Sequence, residues 1–486
     1  MGRRQLMRGG TVVAAALLAA ASAGAASTDR ATVVVSRDGL GAKDNRNLGA
    51  VPDTTAAIGR RHYLEAVNAR IALFDPRTLK LVRARDHYAF WGKSPRSGVI
   101  EDPQVVWDDG ARRWYYAALF TGASGNRLLL AWTKSGDPSD LGRSWCRMSI
   151  PSGEFIDDFP HLGFNRNHIL IADNRFTLDR DFVTSRIWAI GKPSADSPCA
   201  RPPVTSFGSG AEPIHRADGR IAVTVIPVNP LRGRDAGYLV AADCVYDPDP
   251  GMEEDPCGTR ERQSNQLTLW HVDGPRGSPR LTRDGGIDVP VFRLPSPAPQ
   301  RGAKSRLDAS DTRLYQAVSA PDAARHVEDA IWTQHTVSGP GGRSEVRWYE
   351  LDPRDLTIVR RGTIRDAHNW VFSAAISPTA RGDVAVVNYN VSGPGMAPQL
   401  RARSRGPNTP ESELTREVTI ARSSTSEHFC DKEPKDACPW GDYAAATPDP
   451  RGPQLVWGSN ELVGSAKQRG PLGTHWRTRN FAVRFR

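Results

Sequence analysis

The stretch EDPQVVWDDGARRWYY, Glu101 to Tyr116, sets an acid and a proline before a short β-type run, an Asp-Asp-Gly turn, and a second run of aromatics. Valines and tryptophan on one side of the turn and tryptophan and tyrosines on the other are the signature of a two-stranded hairpin. The plan recurs along the chain, in DDFPHLGFNRNHILIAD from Asp157, AEPIHRADGRIAVTVI from Ala211, RLDASDTRLYQAVSA from Arg306, HNWVFSAAISPTARGDVAVVNYN from His368 and WGDYAAATPDPRGPQLVWGSNE from Trp440. Each unit opens on a polar, often acidic residue and then gives strand, turn and strand. A third, alternating strand follows: RLLLAWTKS from Arg127, SRIWAIGK from Ser185, NQLTLWHVD from Asn265, EVRWYELD from Glu345, REVTIARS from Arg416 and RTRNFAVRF from Arg477. With RRHYLEAVNARIALFD from Arg60 as a first unit, the repeat recurs at intervals of roughly 60 to 80 residues.

Repeats of this length, each holding three or four antiparallel strands, predict an all-β fold, a β-propeller of seven blades, with six as the alternative count. A tandem of β-sandwiches fits less well, because sandwich domains need about 100 residues each and separating linkers. Composition agrees: 44 glycines and 37 prolines in 486 residues suit many short strands and turns better than long helices. A single helical turn is expected in PDTTAAIGRR near Pro52.

The first residues, MGRRQLMRGGTVVAAALLAAASAGAAS, carry Arg3, Arg4 and Arg8, then an apolar run too short to span a bilayer, then small residues at Ala23-Gly24-Ala25. They read as a secretory signal peptide, and the Arg3-Arg4 pair is compatible with twin-arginine export. The domain plan is therefore a signal peptide over 1–26, an N-terminal extension over 27–58 and one propeller over 59–486. No later segment reads as a transmembrane anchor. Six cysteines in an exported chain argue for disulfides. Cys244 with Cys257 and Cys430 with Cys438 are near enough in sequence to staple two loops, which leaves Cys146 to pair with Cys199. The net charge of +10 is spread as single arginines beside strands and turns, without the clustered cations a nucleic-acid surface needs.

In a propeller the residue just before each blade's first strand stands at the mouth of the central channel. Alignment of the units puts Glu65, Asp102, Asp158, Glu212, Asp308, the His368/Asn369 pair and Asp442 there. Converging carboxylates suit glycoside hydrolysis, which needs one protonated acid and one carboxylate. They equally suit calcium, which accepts irregular oxygen coordination. The plainer account is that they fasten blades together through backbone N–H groups and arginines.

The words EDPQVVWDDG and AEPIHRADGRI, and the order of the acids, resemble five-bladed arabinanase- and xylosidase-type glycoside hydrolases. That resemblance implies a base at Asp102, a pKa modulator at Asp158 and an acid at Glu212, although it covers about a third of a chain with two blades more. SDLGRSW, through Asp140, Gly142, Ser144 and Trp145, resembles the Asp-box of sialidases, a peripheral turn that does no chemistry. FRLP from Phe292 is similar to a sialidase arginine motif but lies mid-chain. DPQVVWDDGARRWYYAALF, AWTKSGDPS, DDFPHLGF, KSRLDASDTRLYQAV, EVRWYELD, HNWVFSAAISP and WGDYAAATPDPRGPQLVWGSNE together resemble exported bacterial propellers that are loosely sialidase-like. This resemblance implies fold and export and brings no activity with it. The expectation is a secreted, monomeric recognition module for a glycan or protein ligand, with a glycoside hydrolase using Asp102, Asp158 and Glu212 as the alternative. Glu65, Asp308, His368 and Asp442 are the further ligand-binding candidates.

Overall fold

The computed structural model describes residues 30–44, 51–123, 125–243, 245, 262–431, 437–470 and 473–485. Seven small antiparallel sheets form a ring, a seven-bladed β-propeller. The inner strands, blade 1 to blade 7, are Thr55–Ile58, Val99–Asp108, Phe155–Phe164, Ile226–Pro227, Leu314–Asp322, Trp370–Pro378 and Ala445–Pro448, and in blade 5 the short Asn229–Pro230 adds in parallel to the inner edge of Leu314–Asp322. Each contacts the next around the axis, and the last returns to the first.

The opening stretch folds as its pattern dictates. Val99–Asp108 pairs with Arg113–Thr121, with Trp107 opposite Trp114. Asp108 closes the turn by accepting from the N–H groups of Gly110 and Ala111, both at 3.0 Å. Because both faces of a blade are covered by its neighbours, Arg113–Thr121 is buried along almost its whole length. Each aliphatic or phenyl side chain buried this way contributes about 1.5–3 kcal/mol. Trp107, Trp114 and Tyr116 fill the seam between blades 1 and 2, and Tyr115 and Trp132 that between blades 2 and 3.

Blade 7 is completed by the opposite end of the chain. Ala31–Gly41 pairs antiparallel with Trp476–Phe485 and forms the outer strand of the last blade. Much of the expected N-terminal extension is thus blade, and Thr55–Ile58, expected to hold a helical turn, is the inner strand of blade 1. Among the described residues the α-helix lies instead at His87–Trp91, capped by Asp86. REVTIARS also shifts by one strand: Met396–Arg405 is third in blade 6 and Val418–Arg422 fourth.

Cys146–Cys199 and Cys430–Cys438 are disulfides, with Cα–Cα distances of 5.2 and 5.8 Å. Cys244, Cys257 and the expected signal peptide over 1–26 lie outside the described residues. Among the described residues, no helix is long and apolar enough to cross a membrane. The Asp-box stands at the rim of blade 2, where Asp140 accepts from the N–H groups of Gly142 and Arg143 and Trp145 is buried. Arg293 of FRLP is likewise peripheral, donating to Gln263.

Candidate functional site at the channel mouth

The inner strands of blades 2, 3, 5 and 6 are bulged at the same place, between Glu101 and Gln104, Asp158 and His161, Leu314 and Ala317, and Phe372 and Ala375. In blades 2, 3 and 6 the second residue of the bulge takes a left-handed backbone: Asp102 (φ 55°), Phe159 (φ 54°) and Ser373 (φ 45°). Asp53 (φ 45°) and Thr224 (φ 55°) do the same two residues before pairing starts in blades 1 and 4. Side chains other than glycine seldom adopt this conformation, and its repetition re-aims the residue at the mouth of the channel. Tyr315 and Tyr443 stand at the same register in blades 5 and 7 without the left-handed turn. The inner ring is therefore Asp53, Asp102, Phe159, Thr224, Tyr315, Ser373 and Tyr443.

A second tier lies one residue earlier in three blades, and it is acidic: Glu101, half-buried, with Asp158 and Asp442, both exposed. Asp53 and Asp102, below, are buried at 4% and 7% exposure. Asn68 joins these two, donating to the Asp53 carboxyl and accepting from the N–H of Asp102 at 2.9 Å. The N–H of Asp442 donates to Asp53 at 2.8 Å, and the hydroxyl of Tyr443 to Asp102 at 3.3 Å. Tyr443 stacks on Phe159 at 4.9 Å, His161 meets both edge-on, and the Arg313 guanidinium lies 4.4 Å from the Phe159 ring centre.

Electrostatics follow from this crowding. Burial pushes Asp53 up to about 6, with Asp158 adding to the rise, while the Asp442 N–H and Asn68 oppose it. Burial, then Asp53, Asp158, Asp442 and Glu101, hold Asp102 well above the ordinary range. Asp442 is also well raised, by burial and then Asp53, while Arg313 opposes the rise. Burial raises Glu101, with Asp158 and Asp53 adding to it. The cation at the centre, Arg313, is occupied: it forms a two-point ion pair with Asp311, its Nε lying 2.7 Å from a carboxylate oxygen. Against burial, Asp311 raises the Arg313 pKa.

The structure thus brings Asp102, Asp158, Asp308 and Asp442 toward one mouth. Asp308 is half-buried, its N–H donating to the Cys438 carbonyl at 2.8 Å and its carboxylate accepting from Ser310. Three other candidates stand elsewhere. Glu65 is fully buried in the seam between blades 1 and 7, accepting from Thr478, Asn480 and the N–H of Leu40. Glu212 is exposed in a turn closed on Ser209, well ahead of Thr224, the blade 4 counterpart of Asp102. His368 is exposed in a loop capped by Asp366. Glu65 misses the mouth because the true first strand of its blade, Thr55–Ile58, precedes it. Glu212 misses it because the residues after it form a loop and not a strand.

Asp53, Phe159, His161, Arg313, Tyr315 and Tyr443 are not among the residues the sequence pattern points to. The signal that marks Phe159 is the word acid-x-Pro, in Asp158-Phe159-Pro160 as in Glu101-Asp102-Pro103, where proline follows the left-handed residue. Among the described residues, no group of three or more His, Cys, Asp or Glu side chains is arranged to hold a metal.

Neither a protein-family model nor a curated protein matches the chain. Solved structures similar to it are β-propellers. One is a hypothetical selenium-binding protein from Sulfolobus tokodaii (12% identity, 75% of this chain and 76% of that one, TM-score 0.39). A subtype N11 neuraminidase-like protein from a flat-faced bat isolate has 10% identity over 60% of this chain and 71% of that one, with a TM-score of 0.32. The endo-arabinanase of Bacillus licheniformis has 11% identity over 64% and 96%, with a TM-score of 0.29. At these identities the likeness concerns the fold alone, and no substrate or partner follows from it.

Proposed function

We propose that the protein is an exported recognition propeller whose glycan or protein ligand docks over the acidic channel mouth. The observation that carries this reading is that the two innermost carboxyls already have protein donors, Asn68 and the Asp442 N–H on Asp53 and Tyr443 on Asp102. A hydrolase needs its acid and base free across an open pocket, about 5–10 Å apart. Glu212, the acid of the glycosidase trio, stands in an exposed turn and supplies no third carboxyl to the mouth.

A second reading has one observation in its favour. Burial and then Asp53 hold the Asp102 pKa well above the ordinary range beside the water-accessible Asp158, and an acid with a raised pKa next to a second carboxyl is the pairing glycoside hydrolysis uses. One experiment separates the two: reducing-sugar release from a panel of polysaccharides and sialosides, run beside binding to the same glycans and to extracellular proteins. The recognition reading expects no release and at least one ligand that Asp442→Asn weakens. Release abolished by Asp102→Asn would replace it with the hydrolase.

A further inference from the structure

Resting on the recognition reading, the chemistry of the mouth narrows the ligand. Four aspartates from four blades, Asp53, Asp102, Asp158 and Asp442, converge, and the cation beside them, Arg313, is paired with Asp311 while also acting on Asp158 and Asp442, so the acids outnumber it. A sugar ring would need an open aromatic face. Phe159 has none: it is 4% exposed, with Tyr443 stacked on it and Arg313 over its ring.

Directly beneath the acids the channel opens into a small space. Thr55 and Gln104, each two residues on from Asp53 and Asp102, line it together with His161 and Tyr443. It has room for little more than a water-sized group. His161 is 4% exposed, and its Nε2 has no hydrogen-bond partner among the described residues. Burial, aided by Arg313, holds His161 down to about 3, so the ring is neutral and has a lone pair to offer. With the ring proton on Nδ1, Nε2 is a buried acceptor without a donor, and beneath a group of acids that outnumber the nearby cation it is the complement of a small cationic donor.

We propose that the mouth binds a primary ammonium group, drawn in by Asp158 and Asp442 and seated between Asp102 and His161. A –CH2–NH3+ terminus is close to water in size and offers three donors, whereas a guanidinium or a sugar ring is too wide for the space. The source is either a free polyamine or a lysine side chain on a protein.

The test is calorimetric titration of the full disulfide-bonded protein with spermidine, with a short lysyl peptide and with the same peptide acetylated at Nζ, in about 0.15 M salt. Expected is binding of an amine at least about tenfold tighter than the acetylated peptide, lost by about the same factor in Asp442→Asn and in His161→Phe. Preference for spermidine assigns a free polyamine, and preference for the peptide a protein lysine. Equal binding of the amine and acetylated peptides overturns the proposal, and that comparison needs no variant to fold. So does amine binding unchanged by Asp442→Asn, which is adventitious charge attraction. A neutral glycan that binds the mouth while amines do not would sink the ammonium assignment and leave the recognition reading standing. Absence of any mouth ligand would remove both.

Discussion

Glu65 and Asp102 are buried carboxyls in adjacent blades, and their surroundings treat them in opposite ways. Burial raises the pKa of Glu65, but Thr478, Asn480, the Leu40 N–H and Ser459 all oppose that rise by donating to it. Around Asp102, burial is reinforced by four further acids. The seam between blades 1 and 7 gathers donors around one acid; the mouth gathers acids around few donors. A fold that needs only to hold together produces the first arrangement. Like charges crowded without a fastening role cost stability, which is the mark of a site kept for something other than the fold.

The contrast is open to attack, most strongly at the seam. Glu65→Leu leaves several buried donors without an acceptor and should cost about 3–5 kcal/mol in chemical denaturation. A loss under about 1 kcal/mol would mean the seam acid is no fastener. Next come the disulfides. Replacing Cys146 and Cys199, separated by 53 residues, should cost about 4 kcal/mol, against about 2.5 for Cys430 and Cys438, separated by 8. Ligand binding should respond in the opposite order, because the Cys438 carbonyl receives the Asp308 N–H and the chain runs from there into Asp442 and Tyr443.

The pH profile sharpens the mouth side. Asp53 rises from an ordinary 3.8 to about 6 on folding, so its contribution to stability is complete below about pH 4 and lost as pH rises through about 6. Denaturant midpoints measured across that window should decline for the native protein and decline less steeply for Asp53→Asn, since Asp102, Asp442 and Glu350 are raised as well. The smallest effect has the reverse sign. Asp102→Asn removes a group whose ionisation burial and four neighbouring acids oppose and keeps an oxygen for Tyr443, so it should raise stability at pH 7 by about 1–2 kcal/mol while weakening binding at the mouth. Destabilisation there would place Asp102 with Glu65 as a fastener.

Much of the ring was legible in the sequence because hairpins advertise themselves. Asp108-Asp109-Gly110, the Asp-box at Asp140 and the word from Trp440 to Glu461 each fold as their turn chemistry and alternation imply. The mouth was legible only in part, for a geometric reason. Side chains of a strand alternate, so a one-residue bulge decides whether Asp158 or Phe159 takes the place of Asp102, and the acids read as one ring prove to be two tiers. Blade 4 hid most, since its inner strand is only Ile226–Pro227 and the loop before it imitates a hairpin. Ala31–Gly41 looks like an extension in the sequence because its partner, Trp476–Phe485, is the most distant strand in the chain and no local pattern joins them.

That pairing has a consequence for how the molecule is made. A nascent chain can form blades 1 to 6 as they emerge, but Ala31–Gly41 must wait, unpaired, until Trp476–Phe485 has been synthesised. Glu65 likewise waits for Thr478 and Asn480. The half-built arc has two open flanks, at blade 1 and at the newest blade, and contacts of such long sequence separation form slowly. Closure should therefore be the late step of biogenesis, and the period before it the one in which the chain most needs protection from sticking to others of its kind.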